Sequence, residues 1–255
     1  MADMQHEPVT FSEIKGVRYL HLGTPWVQGA MRIKKPYAIE LEYAQQMMAW
    51  LLFLDANHSK TLQLGLGTGA LTQFINRLNE SIQTVAVELN PGIIIAAQTM
   101  FSLDVQSPRM KIIQDDALHY VQTPKNHLQF DSIQVDIFNG EASGPALNSL
   151  DFYQGCYNSL KDVGVMTVNL FSRHPSFKTN ISNICDVFDN RVLLLNEVHD
   201  CNVVGIAFKG PHLEISWDDL EKRSKYIRKL FDLPTKKWVK HLKKCNVQPQ
   251  KYLSI

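Results

Sequence analysis

Cysteine is scarce in this 255-residue chain, and long hydrophobic runs and an excess charge of one sign are missing. The four cysteines, Cys156, Cys185, Cys201 and Cys245, are far apart and form no C-x-x-C pair, so we expect neither a disulfide framework nor a zinc site. The longest apolar run near the start, MMAWLLFL, is much shorter than the roughly 20 residues of a membrane span. The opening MADMQHEPVT lacks the basic and apolar regions of a secretory signal. We therefore expect a cytoplasmic protein that does not contact a membrane.

The charge is almost balanced, with 26 Lys and Arg against 25 Asp and Glu, but it is unevenly distributed. The stretch from Lys209 to Ile255 carries 12 basic and 5 acidic residues, a net charge of +7. A basic tail can touch nucleic acid or an anionic membrane, but it is more commonly the solvated face of terminal helices. We expect the solvated face, and hence no nucleic-acid partner.

Several catalytic signatures are absent as well. The sequence contains no H-E-x-x-H, no clustered His, Cys and Asp with metal-ligand spacing, no G-x-S-x-G and no Walker loop. These absences predict that the protein uses no metal, and they leave a nucleophilic serine of the G-x-S-x-G type and a Walker-type phosphate loop without support.

Strand-like and helix-like segments alternate through the middle of the chain. The strand-like segments are TLQLGL, QTVAVEL, MKIIQDDA, FDSIQVDIF and GVMTVNLF, and helical periodicity separates them. Such alternation is typical of a parallel, doubly wound sheet. Two further segments, RVLLLNEV and NVVGIAFKG, are joined by only three residues and should pair antiparallel. We expect an α/β fold with a seven-stranded, mostly parallel, Rossmann-like sheet of the class I methyltransferase type, its reversed strand at the edge.

Three units follow from this pattern. Residues 1–36 contain GVRYLHLG and WVQGAMRI, which predict a small N-terminal β unit. Residues 37–212 form the Rossmann-like domain, which begins with a helix predicted over Tyr37–Leu54. Residues 213–255 form a basic tail of two helices, the first of them capped by Ser216 with Asp219 three residues on.

The stretch LQLGLGTGALTQF is an apolar strand followed by Gly65, Gly67 and Gly69 and then by a helix. Glycines cluster in this way where a backbone turns sharply and lies close to a ligand. In an open α/β sheet that ligand binds beyond the carboxyl ends of the strands. Phosphate, dinucleotide and adenosyl nucleoside sites all begin with such a loop, so the loop alone does not name the ligand.

Acidic residues follow the next three strands, and they narrow the choice of ligand. Glu88 is suited to the two ribose hydroxyls, Asp116 to an adenine amino group, and Asp136 to the reacting centre. One acid after each of three successive strands favours an S-adenosyl nucleoside over NAD. Singly, Glu88 and Asp116 are equally suited to capping the helices that follow them.

The same residues resemble the spermidine synthase family of aminopropyltransferases over about Gly16 to Asp219. The best match is FDSIQVDIFNGEASGPALNSLDFYQGCYNSLKDVGVMTVN, which is similar to the family's D-x-x-D-P, F-Y-x-x-C and L-x-x-x-G segment. VAVELNPGII is similar to its V-E-I-D-x-x-V-I strand end, and QDDALHYV to its acidic turn.

The resemblance implies a role for each matching position. The glycine loop, Glu88, Asp116 and the adjacent Ala117 would hold the nucleoside, and Asp136 would be the catalytic aspartate. Residues implied to contact the substrate are Gln28, Tyr43, Asn139 and Tyr153. The family also implies a homodimer, an amine or polyamine substrate, and S-adenosylmethionine or its decarboxylated form as the donor.

The departures from the family pattern lie at positions that the resemblance places near the reacting groups. Thr68 stands where the glycine loop of the family has aspartate, and Asn139 replaces the second acid of D-x-x-D-P. Ala44 and Gln45 replace the histidine and glutamate that follow Tyr43. Burying a doubly charged diamine without carboxylates costs several kcal/mol.

We expect aminopropyl transfer to an amine. The alternatives are methyl transfer from S-adenosylmethionine and a nucleoside-binding protein without catalysis.

Overall fold

The computed structural model describes residues 6–138, 149–245 and 251–255, which hold twelve strands and eight α-helices. The strands are β1 Val9–Ile14, β2 Val17–Leu22, β3 Gly29–Arg32, β4 Lys60–Leu64, β5 Gln83–Glu88, β6 Met110–Gln114, β7 Phe130–Val135, β8 Leu160–Phe171, β9 Val192–Leu194, β10 Asn202–Lys209, β11 Glu214–Ser216 and β12 Tyr252–Ser254. The helices are α1 Glu42–Gln46, α2 Ala70–Leu78, α3 Pro91–Met100, α4 Ala117–Gln122, α5 Leu150–Ser159, α6 Phe177–Val187, α7 Trp217–Phe231 and α8 Thr235–Cys245. In the described part of the chain, no helix is long and apolar enough to span a membrane.

The N-terminal unit is an antiparallel meander in the order β1-β2-β3. Lys15 and Gly16 both have positive φ at the turn between β1 and β2, the conformation that suits the twist of a two-residue hairpin. The sequence predicted β2 and β3, and the structure adds β1 in front of them.

The central sheet has seven strands in the order β6-β5-β4-β7-β8-β10-β9. The pairs from β6 to β8 are parallel, and β10 runs antiparallel to both of its neighbours. This confirms the predicted α/β fold with a mostly parallel Rossmann-like sheet. The predicted position of the reversed strand was wrong, because β10 is inserted between β8 and β9 and the edge strand β9 is parallel to the rest.

Helices cover both faces of this sheet, as the short crossovers between parallel strands require. One core cluster joins α2, α7 and α8 to the sheet, and a second joins α4, α5 and α6. Side chains start several of these helices: Asn90 accepts from the Gly92 N–H at α3, and Ser216 accepts from the Asp219 N–H at α7. The predicted cap at Ser216 is thus present.

The single helix expected over Tyr37–Leu54 is interrupted. Only Glu42–Gln46 is α-helical, and Met47–Leu52 winds into a 3-10 helix whose six residues are all almost completely buried. Thr167 Oγ1 donates to the Met47 carbonyl at 3.0 Å and ties this segment to β8. Burial on all sides replaces the amphipathic pattern of a surface helix and permits the tighter winding.

The basic tail packs firmly on the sheet. Trp217, Leu220, Trp238 and Leu242 face the core, while the lysines of α8 point to solvent. β12 pairs with β11 and buries Leu253 completely in the same core cluster. The chain end is therefore part of the fold's hydrophobic core.

Candidate active site

The glycine loop has a conformation that only glycine adopts without strain. Gly65, Gly67 and Gly69 have φ of 86°, 53° and 73°, all in the left-handed region. A Cβ atom on Gly65 would lie 2.1 Å from the carbonyl oxygen of Asp136. The loop therefore brings the end of β4 against the end of β7, at the edge where strand order reverses.

Glu88 is buried at the carboxyl end of β5 and accepts two backbone hydrogen bonds. Leu66 N–H donates to Oε2 and Asn90 N–H donates to Oε1, each at 2.9 Å. Burial raises the pKa of the Glu88 carboxyl, and the backbone donors, Asn90 first, oppose that rise. The carboxylate is thus fixed beside the glycine loop.

Asp116 caps α4, the role that the sequence left open beside adenine binding. Its Oδ1 accepts from the His119 N–H at 2.9 Å, and its side chain is exposed. Ala117 is the first residue of the helix. The second oxygen of Asp116 and the N-terminal edge of α4 lie at the same edge of the sheet as Glu88, since β6 is parallel to β5.

Asp136 follows β7 and is held by two donors, one on each carboxylate oxygen. Asn169 Nδ2 donates to Oδ1 at 3.0 Å and Tyr43 Oη donates to Oδ2 at 3.3 Å. Burial raises the pKa of Asp136 to about 6, and the bonds from Asn169 and Tyr43 limit the rise. Burial and the Asp136 charge raise the pKa of Tyr43 well above its usual value, so its phenol stays a donor.

A pocket lies between the N-terminal unit and the carboxyl edge of the sheet. Gln28, Tyr43, Thr68 and Asp136 all line it, together with Gly67 of the glycine loop. Gln28 precedes β3 and Tyr43 lies on α1, so the pocket is assembled from three separate parts of the chain. The structure thus brings two of the sequence-proposed substrate residues to the sequence-proposed catalytic aspartate.

Tyr153 does not reach this pocket, contrary to the substrate contact that the sequence suggested. It is completely buried on α5, and its hydroxyl donates to Asn180 Oδ1 at 2.7 Å. The ring also packs edge-on against Phe152. Tyr153 is therefore a core residue. Asn139, the other substrate residue expected near Asp136, lies outside the described residues.

Asn169 is the residue of this site that the sequence analysis missed. It lies in β8, the strand beside β7, and only 1% of its surface is exposed. A signal was present, since an amide stands inside the apolar strand GVMTVNLF near its carboxyl end. Among the residues that the structure describes, no group of three or more His, Cys, Asp or Glu is placed to hold a metal ion.

Solved structures share this fold. A probable spermidine synthase from Corynebacterium glutamicum matches with a TM-score of 0.71 at 17% identity, over 87% of this chain and 82% of that one. Human methyltransferase-like protein 13 in complex with SAH gives 0.67 at 21% identity, over 76% of this chain and 94% of that one. A spermidine synthase in complex with the transition-state analogue AdoDATO gives 0.61 at 24% identity, over 79% and 74%.

Sequence comparisons reach further than the fold. Residues 40–192 match the model of the spermine/spermidine synthase domain. The polyamine aminopropyltransferase of Chromobacterium violaceum is 32% identical over 247 residues, which cover 97% of this chain and 94% of that protein. The enzyme of the same name from Neisseria meningitidis serogroup A is 31% identical over 247 residues, 97% of this chain and 93% of that protein. This chain belongs to the spermine/spermidine synthase family.

Proposed function

We propose that this protein transfers an aminopropyl group from a decarboxylated S-adenosyl donor to an amine, as in polyamine biosynthesis. Support comes from the family and from its relatives, since the polyamine aminopropyltransferases match this chain over nearly their whole length. The observation that carries the proposal is Asp136, a carboxylate held by Tyr43 and Asn169 at the wall of the pocket.

The nucleoside lies across the carboxyl edge of the sheet in this proposal. The glycine loop gives room for close approach, and Glu88 accepts hydrogen bonds from the ribose hydroxyls. Asp116 offers its second oxygen to the adenine amino group beside Ala117. Spermidine synthase with AdoDATO and human methyltransferase-like protein 13 with SAH are neighbours in fold that carry adenosyl ligands.

Chemistry takes place beside Asp136. The amine nitrogen attacks the carbon next to the sulfonium, a C–N bond forms, the C–S bond breaks, and a thioether nucleoside leaves. The amine gives up a proton to the Asp136 carboxylate. A pKa raised from 3.8 to about 6 makes this carboxylate a stronger base, by about 3 kcal/mol in proton affinity. Because the sulfonium is already a good leaving group, the remaining catalysis is orientation of the two reactants.

Gln28 and Tyr43 form the acceptor side of the pocket, where Tyr43 also keeps the Asp136 carboxylate oriented. We further propose that the protein is a cytoplasmic homodimer, as the family resemblance implies, and that it works without a metal.

Methyl transfer from S-adenosylmethionine is the second candidate, and Thr68 favours it. Thr68 is 96% buried, lines the pocket, and is neutral. A neutral wall suits a donor tail that carries both ammonium and carboxylate better than one that carries ammonium alone.

Titration calorimetry with S-adenosylmethionine, its decarboxylated form and methylthioadenosine separates the two candidates. We expect the decarboxylated donor to bind more tightly than S-adenosylmethionine, and to yield methylthioadenosine when 1,4-diaminobutane is added. Asp136→Asn should abolish turnover, whereas Glu80→Gln, an exposed change at the opposite edge of the sheet, should not. Preference for S-adenosylmethionine, with a methylated product, would make methyl transfer the function instead.

A further inference from the structure

Gln63 is a buried amide in the wall of the pocket, and both ends of its side chain are engaged. It lies in β4, two residues before the first glycine of the loop, and only 2% of its surface is exposed. Its Nε2 donates to the Gly65 carbonyl at 2.7 Å, and its Oε1 accepts a hydrogen bond from Thr72 Oγ1 on α2. Gln63 therefore holds the start of the glycine loop against the first turn of the helix that follows it.

The peptide group between Gly65 and Leu66 is held at both of its ends. Its carbonyl accepts the hydrogen bond from Gln63, and its N–H, which belongs to Leu66, donates to Glu88 Oε2 at 2.9 Å. Gly65 has a φ of 86° and no Cβ, so its own backbone restricts the orientation of this peptide group only weakly. The side chains of Gln63 and Glu88 supply the restraint that the glycine lacks.

A glutamine suits position 63 because an amide donates and accepts at the same time. A glutamate of the same shape would still accept from Thr72, but it has no donor for the Gly65 carbonyl. A leucine would leave both the carbonyl and the Thr72 hydroxyl without this partner. In either case the peptide group can rotate, and the N–H that orients Glu88 moves with it.

We propose that Gln63 is a positioning residue of the nucleoside site, which acts through the Gly65–Leu66 peptide group to fix the direction of the Glu88 carboxylate. The inference rests on the proposed function, in which Glu88 accepts hydrogen bonds from the ribose, and it deepens that function by naming the side chain that orients this acid. An acid that is already oriented lowers the ordering cost of binding. The effect falls on the ribose, so it is the same for every adenosyl ligand, whatever tail the sulfur carries.

Titration calorimetry with methylthioadenosine and with decarboxylated S-adenosylmethionine tests this role. Gln63→Leu and Gln63→Glu should each weaken the binding of both ligands about ten-fold, the scale of one lost hydrogen bond in a buried site. Thr72→Val removes only the bond to Gln63 Oε1 and should weaken both about two- to three-fold. In transfer to 1,4-diaminobutane, the KM for the donor should rise with Kd, while kcat should change by less than about two-fold.

Gln73→Leu is the matched control. Gln73 is also a buried glutamine whose amide donates to a backbone carbonyl, that of Phe101, at 3.0 Å, and it lies on α2 outside the lining of the pocket. This change should lower Tm by a similar amount to Gln63→Leu and leave both Kd values unchanged. In a Glu88→Gln background, Gln63→Leu should weaken binding by roughly two-fold at most, because the change acts through Glu88.

A loss of affinity confined to the decarboxylated donor would show that Gln63 contacts the donor tail instead, and would overturn the inference. So would unchanged affinities in Gln63→Leu, an equal loss in Gln73→Leu, or an undiminished loss in the Glu88→Gln background. Unchanged affinities in Glu88→Gln itself would refute the ribose contact on which the inference rests. If neither ligand binds the unaltered protein, the proposed function is refuted, and the inference with it.

Discussion

Replacing Asn169 by alanine removes the hydrogen bond that its amide donates to Asp136 Oδ1. A hydrogen bond to a charged group contributes about 1.5–3 kcal/mol, and one pKa unit corresponds to about 1.36 kcal/mol. The pKa of Asp136, about 6 in the intact site, should therefore rise by roughly 1–2 units. Because the proposed reaction needs the carboxylate, kcat/KM at pH 7 should fall roughly two- to ten-fold, and at pH 9 it should be nearly unchanged.

The assay is the ratio of kcat/KM for Asn169→Ala and the unaltered enzyme from pH 5.5 to 9.5, with methylthioadenosine release as the signal. Tyr153→Phe is the control, because it removes a buried hydrogen bond to Asn180 away from the pocket. It should lower the free energy of unfolding by about 1 kcal/mol and leave the acidic limb in place. A ratio for Asn169→Ala that is the same at every pH would show that Asn169 does not set the pKa of Asp136, since a purely structural defect does not follow the ionisation of that carboxyl.

Three further changes test other parts of the site. Asp136→Asn should raise the free energy of unfolding at pH 8 by up to about 3 kcal/mol. Because burial raises the pKa of Asp136 from 3.8 to about 6 in the folded protein, the protonated carboxyl contributes stability below pH 3.8, and that stability is lost as the pH rises through about 6. Urea unfolding should show this gain vanish near pH 4, and a gain independent of pH would contradict it. Gly65→Ala should lower the free energy of unfolding by about 2–4 kcal/mol and Tm by roughly 5–15 °C, because its Cβ would meet the Asp136 carbonyl oxygen. The control, Gly16→Ala, also has a positive φ but has open space around it, so it should cost only about 1–2 kcal/mol. Equal losses in the two variants would show that the backbone strain of a positive φ accounts for the whole effect. Thr68→Asp should raise the affinity for the decarboxylated donor relative to S-adenosylmethionine about ten-fold in titration calorimetry, and an unchanged ratio would show that residue 68 does not contact the donor tail.

The sheet was predictable because its strands are buried on both faces and are separated by amphipathic helices. The strand order and the insertion of β10 were not, since they depend on which strands meet across the sheet. Helix α1 ends at Gln46, earlier than predicted, because the apolar run MMAWLLFL that follows is buried on all sides. A sequence pattern without a polar face does not distinguish an α-helix from a 3-10 helix. β12 is only three residues long and pairs with β11 far back in the chain, so no local signal marks it.

Within the site, the shared position of the glycine loop and the three acids was predictable, because parallel strands end at one edge, whereas the roles of these residues stay predictions. Asn169 required knowledge that β8 lies beside β7, which the structure supplies. Tyr153 was assigned to the substrate by its place in a family motif, but α5 turns it toward the core, where Asn180 completes its hydrogen bond.

The most direct test of the central claim is to incubate the purified protein with decarboxylated S-adenosylmethionine and 1,4-diaminobutane and to identify the products by mass spectrometry. We expect methylthioadenosine and the aminopropylated diamine in equal amounts, and neither product with Asp136→Asn. A methylated amine formed from S-adenosylmethionine, or no transfer from either donor, would contradict it.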